Sequence, residues 1–289
     1  MLRALLAKRA IVKSSLGRLY RDADGGKWHL QSDALIPAVA AFHTAHRAIR
    51  KGLEDPPEAV YKWTERRLVF KFSANSDGGE TLVAKGFLLK HPRQRIKSYR
   101  YGLEETANLL MAAQSGISVP AIYGYGILYG KSRLPNATFL LFECLSDYEV
   151  IGDLLKRAKE NPAECRAILM HTVPSFVSLY KAGCNHIDIH TKTIMMHKDA
   201  DLPPRILDFH YVRFHGRPNL ETLAFMAGFF GGTCSEWLDG EAMEEWLSVL
   251  ADRVGLCDGS ERRAFRERVA FYQGNRLSRE EKMNVGIRL

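Results

Sequence analysis

The fold of this chain is indicated by residues 186–214, whose sequence is HIDIHTKTIMMHKDADLPPRILDFHYVRF. Two aspartates in this stretch, Asp188 and Asp208, stand twenty residues apart. Between them, two short apolar runs at residues 194–196 and 205–207 flank a polar turn, which predicts a small hairpin. Because a hairpin brings the loop before it close to the loop after it, we expect both carboxylates at one mouth of the fold.

Two carboxylates in this arrangement are typical of phosphoryl transfer. One orients the attacking hydroxyl and accepts its proton, and the other holds the magnesium that bridges the nucleotide phosphates. Asp188 and Asp208 fit these roles in that order. For either aspartate alone, a capped turn or a strand end is the simpler interpretation. His186, two residues before the first, and Phe209, directly after the second, favour the catalytic interpretation for the pair.

Here the sequence resembles a known superfamily. Residues 186–190 (HIDIH) are similar to the catalytic loop HGDLHPGN of protein-kinase-like enzymes, and residues 208–210 (DFH) stand where these enzymes have a DFG-type metal-binding triplet. The resemblance implies a two-lobed α+β fold, with a small β-rich N-lobe that carries one key helix and a mainly helical C-lobe. It also implies that Asp188 is catalytic and that Asp208 binds the metal.

One position departs from the superfamily pattern. A metal-binding Asn normally follows the catalytic Asp by five residues, and this chain has Thr193 there. A hydroxyl is a poorer magnesium ligand than an amide carbonyl, so Thr193 is a weak candidate for a second metal ligand. A pseudokinase, or a nucleotide-binding regulatory protein with the kinase fold, therefore remains an alternative. A small-molecule or protein kinase of the same superfamily is another.

A kinase fold also requires a lysine for the nucleotide phosphates and a helix glutamate that holds this lysine. Residues 81–85 (TLVAK) predict a strand after a hairpin-turn signal at residues 76–79, which makes Lys85 the candidate and Lys90 its competitor. Apolar residues at helical spacing predict a helix over residues 99–115, ended by Gly116.

The glutamate and the adenine-binding groups are predicted from the same resemblance to the kinase superfamily. Glu105 lies near the middle of the predicted helix and is favoured over Glu104. Residues 139–145 (FLLFECL) resemble the last N-lobe strand and the hinge, which makes the backbone of Glu143 and Leu145 the candidate adenine contact. A plain buried strand is the alternative there.

A glycine-rich phosphate loop is missing from the sequence. Residues 61–72 (YKWTERRLVFKF) predict the first hairpin without G-x-G-x-x-G, so phosphate cover would come from the backbone of residues 63–66. Residues 228–232 are glycine-rich but lie too late in the chain, and we interpret them as a turn between helices.

The missing loop, the HxDxH and DFH motifs, and the SGISVP connection narrow the resemblance further. Over residues 60–230 the chain is similar to the lipopolysaccharide core kinase family, the Kdo and heptose kinases. That resemblance implies ATP-dependent phosphorylation of an inner-core sugar hydroxyl with Mg²⁺, at the cytoplasmic face of the bacterial inner membrane. His190, His210 and Arg213 are then candidate contacts to lipopolysaccharide core or another phosphosugar acceptor, or else plain surface.

Composition is that of an ordinary two-lobed enzyme. The chain has 289 residues, of which 46% are hydrophobic and 26% charged, and no apolar run reaches the ~18 residues of a membrane-spanning helix. Its five cysteines lack CxxC or Cys/His ligand spacing, which favours a reducing cytoplasm over a disulfide framework or a zinc site.

Positive charge is concentrated at the N-terminus. The formal net charge is +8, and six Lys or Arg precede the first acid, Asp22, among apolar residues at mostly helical intervals. This pattern is compatible with a basic helix on an anionic membrane surface, and equally with a solvated face that packs on the N-lobe. A nucleic-acid-binding module would explain the charge but not the two aspartates, so no nucleic acid partner is expected.

The domain prediction follows from these assignments. Residues 1–58 are predicted to form a basic helical extension closed by the Asp-Pro-Pro of residues 55–57, residues 59–146 the N-lobe, and residues 147–289 the C-lobe. Within the C-lobe, the sequence predicts one long helix over residues 161–183. Three later helices are predicted at residues 220–230, 236–254 and 261–272.

Overall fold

The structure, a computed structural model, describes residues 2–17, 19–51, 59–74, 80–130, 133–199 and 202–287. It divides into two compact units, one of Met1–Met111 and Pro120–Cys144 and the other of Ala112–Val119 and Leu145–Leu289. The predicted turn at 76–79 and the predicted boundary at 55–57 lie outside the described residues. Within the described ranges, no helix combines the length and apolar character needed to cross a bilayer.

The first unit is a seven-stranded antiparallel sheet with helices. Its strands are β1 (Leu19–Arg21), β2 (Lys27–Leu30), β3 (Val60–Trp63), β4 (Arg67–Ser73), β5 (Thr81–Leu88), β6 (Ile122–Tyr129) and β7 (Pro135–Glu143). Its helices are α1 (Leu2–Leu16), α2 (Ile36–Lys51), α3 (Pro92–Ile96) and most of α4 (Leu103–Gln114). The strand order is β1-β2-β6-β7-β5-β4-β3, so β5 is an interior strand with neighbours on both sides.

The N-terminal segment is helical in α1 and α2, with two strands between them that were not predicted. β1 and β2 extend the sheet beyond β6, and residues 27–30, predicted as helical, are strand. The reason is the alternation in Lys-Trp-His-Leu, since Trp28 and Leu30 are buried while Lys27 and His29 face the other way. Helix α2 covers the buried face, where Phe42 packs edge-to-face on Phe139 with ring centroids 4.7 Å apart.

The second unit is mainly helical. Its helices are α5 (Ile151–Arg157), α6 (Pro162–Met170), α7 (Val173–Lys181), α8 (Leu220–Cys234), α9 (Gly240–Arg253), α10 (Gly259–Gly274) and α11 (Arg279–Asn284). Its short strands are β8 (Tyr148–Val150), β9 (Cys184–His186), β10 (Ile194–His197), β11 (Arg205–Ile206) and β12 (Val212–Phe214). The hairpin predicted between the aspartates is confirmed, because β10 pairs antiparallel with β11 and Ile194 lies opposite Ile206.

Two helix predictions in the second unit are wrong. The single helix over residues 161–183 is two helices, α6 and α7, because Pro174 lacks an N–H and starts a new helical turn. The glycines of residues 228–232 lie inside α8 rather than in a turn. A Cβ on Gly228 would lie 2.5 Å from the carbonyl oxygen of Val269 in α10, so glycine there permits close helix packing.

Asp22 fastens the β1–β2 hairpin to α2. Its Oδ2 accepts a hydrogen bond from Trp28 Nε1 at 2.6 Å and lies 2.6 Å from His43 Nε2 of α2. Its Oδ1 accepts the Gly26 N–H at 2.7 Å. Burial alone would raise the pKa of Asp22, but these hydrogen bonds hold it below its ordinary value.

We expect Asp22→Ala to lower the free energy of unfolding at pH 7 by about 2 kcal/mol or more, because the partners it leaves are buried. Since the folded pKa is depressed, the stabilisation by the carboxylate is present above its ordinary pKa and is lost as pH falls through the lower folded value. Urea unfolding at pH 7 and pH 3 measures both effects. The exposed Asp33→Ala is the control. If wild type and Asp22→Ala lost the same free energy of unfolding between pH 7 and pH 3, the assignment would be contradicted.

Candidate active site

An ion pair in the first unit involves the predicted phosphate-binding lysine. Lys85 lies on β5, opposite Leu140 of β7 and Val69 of β4. Its Nζ donates to Glu105 Oε1 at 2.7 Å, and the side chains are only 13% and 2% exposed. Since a buried carboxylate is strongly destabilising without a cation, this pair fixes α4 against the centre of the sheet.

The competing residues have other partners. Lys90 Nζ lies 3.8 Å from Glu65 Oε1 on an exposed surface. Glu104, the alternative to Glu105, lies 3.5 Å from Lys8 Nζ of α1. Burial therefore distinguishes Lys85 and Glu105 from their sequence neighbours.

The candidate adenine contacts lie where β7 ends. Glu143 is the last residue of β7, and its N–H donates to the Ala121 carbonyl at 2.9 Å. Its Oε2 accepts the Ala121 N–H at 3.0 Å. Leu145 lies two residues beyond the strand, and its carbonyl accepts the Tyr148 N–H at 3.1 Å. The chain leaves the sheet after Glu143, which still pairs with Leu82 of β5, so the Glu143 N–H and the Leu145 carbonyl are already engaged.

The first hairpin is a tight turn whose amides are largely used internally. The Thr64 N–H donates to the Arg67 carbonyl at 2.8 Å. Thr64 Oγ1 accepts the N–H groups of Arg66 and Arg67 at 3.3 and 3.0 Å. The predicted phosphate cover by backbone at residues 63–66 would therefore compete with bonds that the turn already makes.

In the second unit, Asp188 projects from a loop whose neighbours are buried. Ile187 and Ile189 are fully buried, and the loop follows β9 directly. Asp188 lies in the turn between them and is half-buried. The local sequence apolar–Asp–apolar therefore presents a carboxylate on a rigid support.

His186 connects the loop of Asp188 to the segment of Asp208. Its buried ring nitrogen Nε2 lies 2.9 Å from the Leu207 carbonyl, and the ring packs edge-to-face on Phe209 at 4.9 Å. Because a carbonyl only accepts, Nε2 carries the proton. Burial lowers the pKa of His186, although the Leu207 hydrogen bond and the charges of Asp208 and Asp188 act to raise it. The ring is therefore neutral at pH 7.

Asp208 has an unusual backbone conformation. Its φ is 59°, in the left-handed region that non-glycine residues seldom adopt but that Asp tolerates. Phe209 beside it is fully buried, while Asp208 itself is exposed. The turn therefore places the aromatic ring in the core and the carboxylate in solvent at adjacent positions.

The loop itself uses the hydroxyl of Thr193. Thr193 is 1% exposed, and its Oγ1 accepts the His190 N–H at 2.9 Å and lies 2.9 Å from the His190 carbonyl, to which it donates. The Thr193 carbonyl accepts the Leu207 N–H at 2.8 Å. Thr193 thus holds the turn after Asp188 and joins it to the Asp208 segment, and its hydroxyl is poorly placed to bind a metal.

The three candidate acceptor contacts lie on the same loops. His190 Nδ1 accepts the Lys192 N–H at 3.1 Å. Burial lowers the pKa of His190, although the charges of Asp188 and Asp208 act to raise it. The neutral ring therefore carries its proton on Nε2, which can donate. His210 packs edge-to-face on Tyr211 at 4.3 Å. Arg213 is exposed, with Nη1 3.4 Å from Asn284 Oδ1. The charges of Asp188 and Asp208 both act on His186 and on His190, and the hydrogen bond from His186 to Leu207 joins the segments that carry the two carboxylates.

Sequence reasoning missed the contribution of α11. Lys282 of this helix lies within electrostatic reach of Asp188. No motif marks it, because α11 is a short charged helix whose position depends on contacts with residues about a hundred positions earlier.

The donor chemistry of the second unit fits one magnesium. Carboxylate oxygens are the ligands that Mg²⁺ prefers, together with water and phosphate oxygens. Asp208 supplies such an oxygen and is exposed, whereas the Thr193 hydroxyl does not fit as a further ligand. In the described part of the chain, no group of three or more His, Cys, Asp or Glu side chains forms a cation site by itself.

Comparison with known proteins identifies a similar fold. The chain matches no family model and no curated protein. Among solved structures it is similar to one described as "WaaP in complex with acyl carrier protein", with a TM-score of 0.52 and 17% identity over 79% of this chain and 97% of that chain. At this identity the match shows the fold, and the predicted α+β kinase-like fold is confirmed.

We expect Lys85→Met to lower the free energy of unfolding by about 3 kcal/mol, because Glu105 would stay buried without its cation. Adding Glu105→Leu should restore much of this loss, which a double-mutant cycle by urea unfolding measures. Lys90→Met is the matched control, and its exposed ion pair should contribute under ~0.5 kcal/mol. Simple additivity of the two substitutions would show that the pair is not coupled.

Proposed function

We propose that this chain is an ATP-dependent kinase that phosphorylates a sugar hydroxyl of the lipopolysaccharide inner core, on Kdo or heptose. The observation that carries the proposal is that the Asp188 loop and the Asp208 segment are fastened together by the buried His186–Leu207 hydrogen bond. Two carboxylates held close on rigid supports are what phosphoryl transfer requires. The fold shared with WaaP supports the same class of reaction.

The reaction assigns a separate role to each carboxylate. Asp188 accepts the proton of the acceptor hydroxyl as its oxygen bonds to the γ-phosphorus of ATP. The bond from that phosphorus to the β–γ bridging oxygen breaks, and ADP leaves with the electron pair. Asp208 holds magnesium, which when bound neutralises charge on the nucleotide phosphates.

The first unit supplies the nucleotide contacts. Lys85 binds the phosphates as a point charge, and Glu105 fixes its position. The backbone of Glu143 and Leu145 offers hydrogen bonds to adenine. His190 donates from Nε2 to the acceptor, and His210 and Arg213 lie on the segment that follows Asp208.

A pseudokinase is the second candidate, and Thr193 is the observation that favours it. The buried hydroxyl is engaged by the His190 backbone, so a second metal lacks the amide ligand that the superfamily uses. A pseudokinase of this kind would bind nucleotide through Lys85 and Asp208 without turnover. Phosphate transfer to isolated lipopolysaccharide core distinguishes the two candidates.

Asp188→Asn should leave the chain folded and able to bind ATP but lower phosphate transfer by ~10²-fold or more, since a positioned proton acceptor is lost. Asp208→Ala should instead weaken the magnesium-dependent part of nucleotide binding. Radiolabel transfer and calorimetry with and without magnesium measure these effects. The exposed Asp199→Asn is the control. Undiminished transfer by Asp188→Asn, or magnesium-independent binding in wild type, would contradict the roles given to these residues.

We further propose that the basic surface of α1 binds the anionic cytoplasmic face of the inner membrane. Val12 and Leu16 are buried against the first unit, whereas Leu6, Arg9 and Lys13 are exposed. Exposed cations beside an exposed apolar side chain suit an anionic lipid surface.

The double variant Arg9→Gln/Lys13→Gln should sediment less with anionic vesicles at low salt, since each basic group contributes about 1 kcal/mol near such a surface. High salt should release the wild-type protein. Lys156→Gln/Lys159→Gln removes the same charge from an exposed part of the second unit and serves as the control. Charge substitution is preferable to truncation after Arg21, which would delete β1 and the buried residues of α1. If both double variants sedimented equally with the vesicles, the proposal that this surface binds the membrane would be contradicted.

A further inference from the structure

Helix α11 is fastened to both loops that carry the candidate aspartates. Asn185 Nδ2, three residues before Asp188, donates to the Lys282 carbonyl at 2.9 Å. The Arg279 guanidinium lies over the ring of Tyr211, three residues after Asp208, at 4.2 Å from its centroid. The position of α11 is therefore set by the same loops that set the positions of the carboxylates.

Lys282 is a half-buried cation in this arrangement. Its Nζ lies 3.7 Å from the centroid of the Phe229 ring in α8, which fixes the side chain. No carboxylate in the described part of the chain lies within ion-pair distance of it. Burial lowers the pKa of Lys282, the charge of Asp188 raises it, and Arg276 and Arg279 lower it again.

Arg276 and Arg279 act electrostatically on Lys282, on a segment that also carries Glu280 and Glu281. Arg276, Arg279 and Lys282 recur at every third position, and Arg213 contacts α11 through Asn284. Like charges this close repel one another, and binding of an oxyanion would relieve that repulsion. Asn185, whose amide donates to the Lys282 carbonyl, lies three residues before Asp188, so Lys282 lies near the loop of Asp188.

We propose that Lys282, with Arg279 and Arg213, forms a subsite for an oxyanion carried by the acceptor, a phosphate or carboxylate group near the hydroxyl that is phosphorylated. This inference rests on the proposed kinase function and names the acceptor class as an already anionic sugar. Lys282 is the specificity-determining residue, since it alone of the three is half-buried beside Asp188.

The test compares Lys282→Met, which keeps the stem over Phe229 but removes the charge, with Lys282→Arg, which retains it. Steady-state kinetics use intact lipopolysaccharide core, phosphatase-treated core and carboxyl-reduced core. We expect Lys282→Met to raise the acceptor KM about 10-fold, the scale of one lost charge-assisted hydrogen bond. The KM for ATP and the hydrolysis of ATP without acceptor should stay unchanged, and Lys282→Arg should recover most of the loss.

The acceptor forms identify the oxyanion. The difference between wild type and Lys282→Met should vanish with phosphatase-treated core if the group is a phosphate, and with carboxyl-reduced core if it is a carboxylate. The same difference on all three cores would overturn the proposal. A raised KM for ATP would also overturn it, because Lys282 would then hold the nucleotide. Lys198→Met, at an exposed lysine paired with Asp147, is the matched control.

Binding without turnover separates this inference from the proposed function. Calorimetry with glucose 1-phosphate and with glucose, in the absence of nucleotide, should detect binding of the phosphosugar alone by wild type, and weaker binding by Lys282→Met. If wild type transfers no phosphate but keeps this binding difference, the kinase proposal fails and the subsite stands. If transfer is observed but neither Lys282→Met nor Arg213→Gln alters acceptor KM or binding, the subsite fails and the kinase proposal stands.

Discussion

The hydrogen bond from His186 to the Leu207 carbonyl is the constraint on which the candidate catalytic half of the second unit depends. His186 is fully buried, so leaving its ring N–H unpaired would be costly, and the bond persists as long as the unit is folded. Its acceptor, Leu207, lies one residue before Asp208, and its donor, His186, lies two residues before Asp188. A histidine in the superfamily motif thus acts here through backbone geometry, and burial keeps its ring neutral so that one nitrogen donates.

A comparable constraint exists in the first unit, where Glu105 is almost fully buried and held by Lys85. Such a pair is weak evidence for stability, because an apolar replacement of similar volume is often as stable. Its occurrence on an interior strand therefore suggests a role for a charge at that position. The exposed pairs of Lys90 and Glu104 carry no comparable requirement. The two units are alike in that each holds charged groups on strands or loops whose flanking residues are buried.

The features predicted from sequence are those encoded by local patterns. The β10–β11 hairpin follows from two apolar runs around a polar turn, and periodicity predicts the strand of Lys85 and the helix of Glu105, whereas their pairing is what the resemblance to the kinase superfamily implies. The errors are features decided by distant contacts. Gly228 lies in a helix because α10 packs against it, β2 is a strand because Trp28 packs against α2, and Lys282 contacts β9 through Asn185. No short-range signal in the sequence encodes such contacts.

Thr193 and Asp208 together indicate how charge would be balanced in this chain. The Thr193 hydroxyl stabilises the loop instead of offering a metal ligand, which leaves Asp208 as the main carboxylate for a cation. The left-handed conformation of Asp208 costs of order 1 kcal/mol and is retained because Phe209 is buried beside it. Under the proposed function, one metal held by Asp208 would leave more of the negative charge of the reacting groups to be met by side chains. Helix α11 carries Glu280 and Glu281 beside Arg279 and Lys282 and is neutral overall, so the proposed acceptor subsite depends on the position of these two cations and not on a net positive charge of the helix.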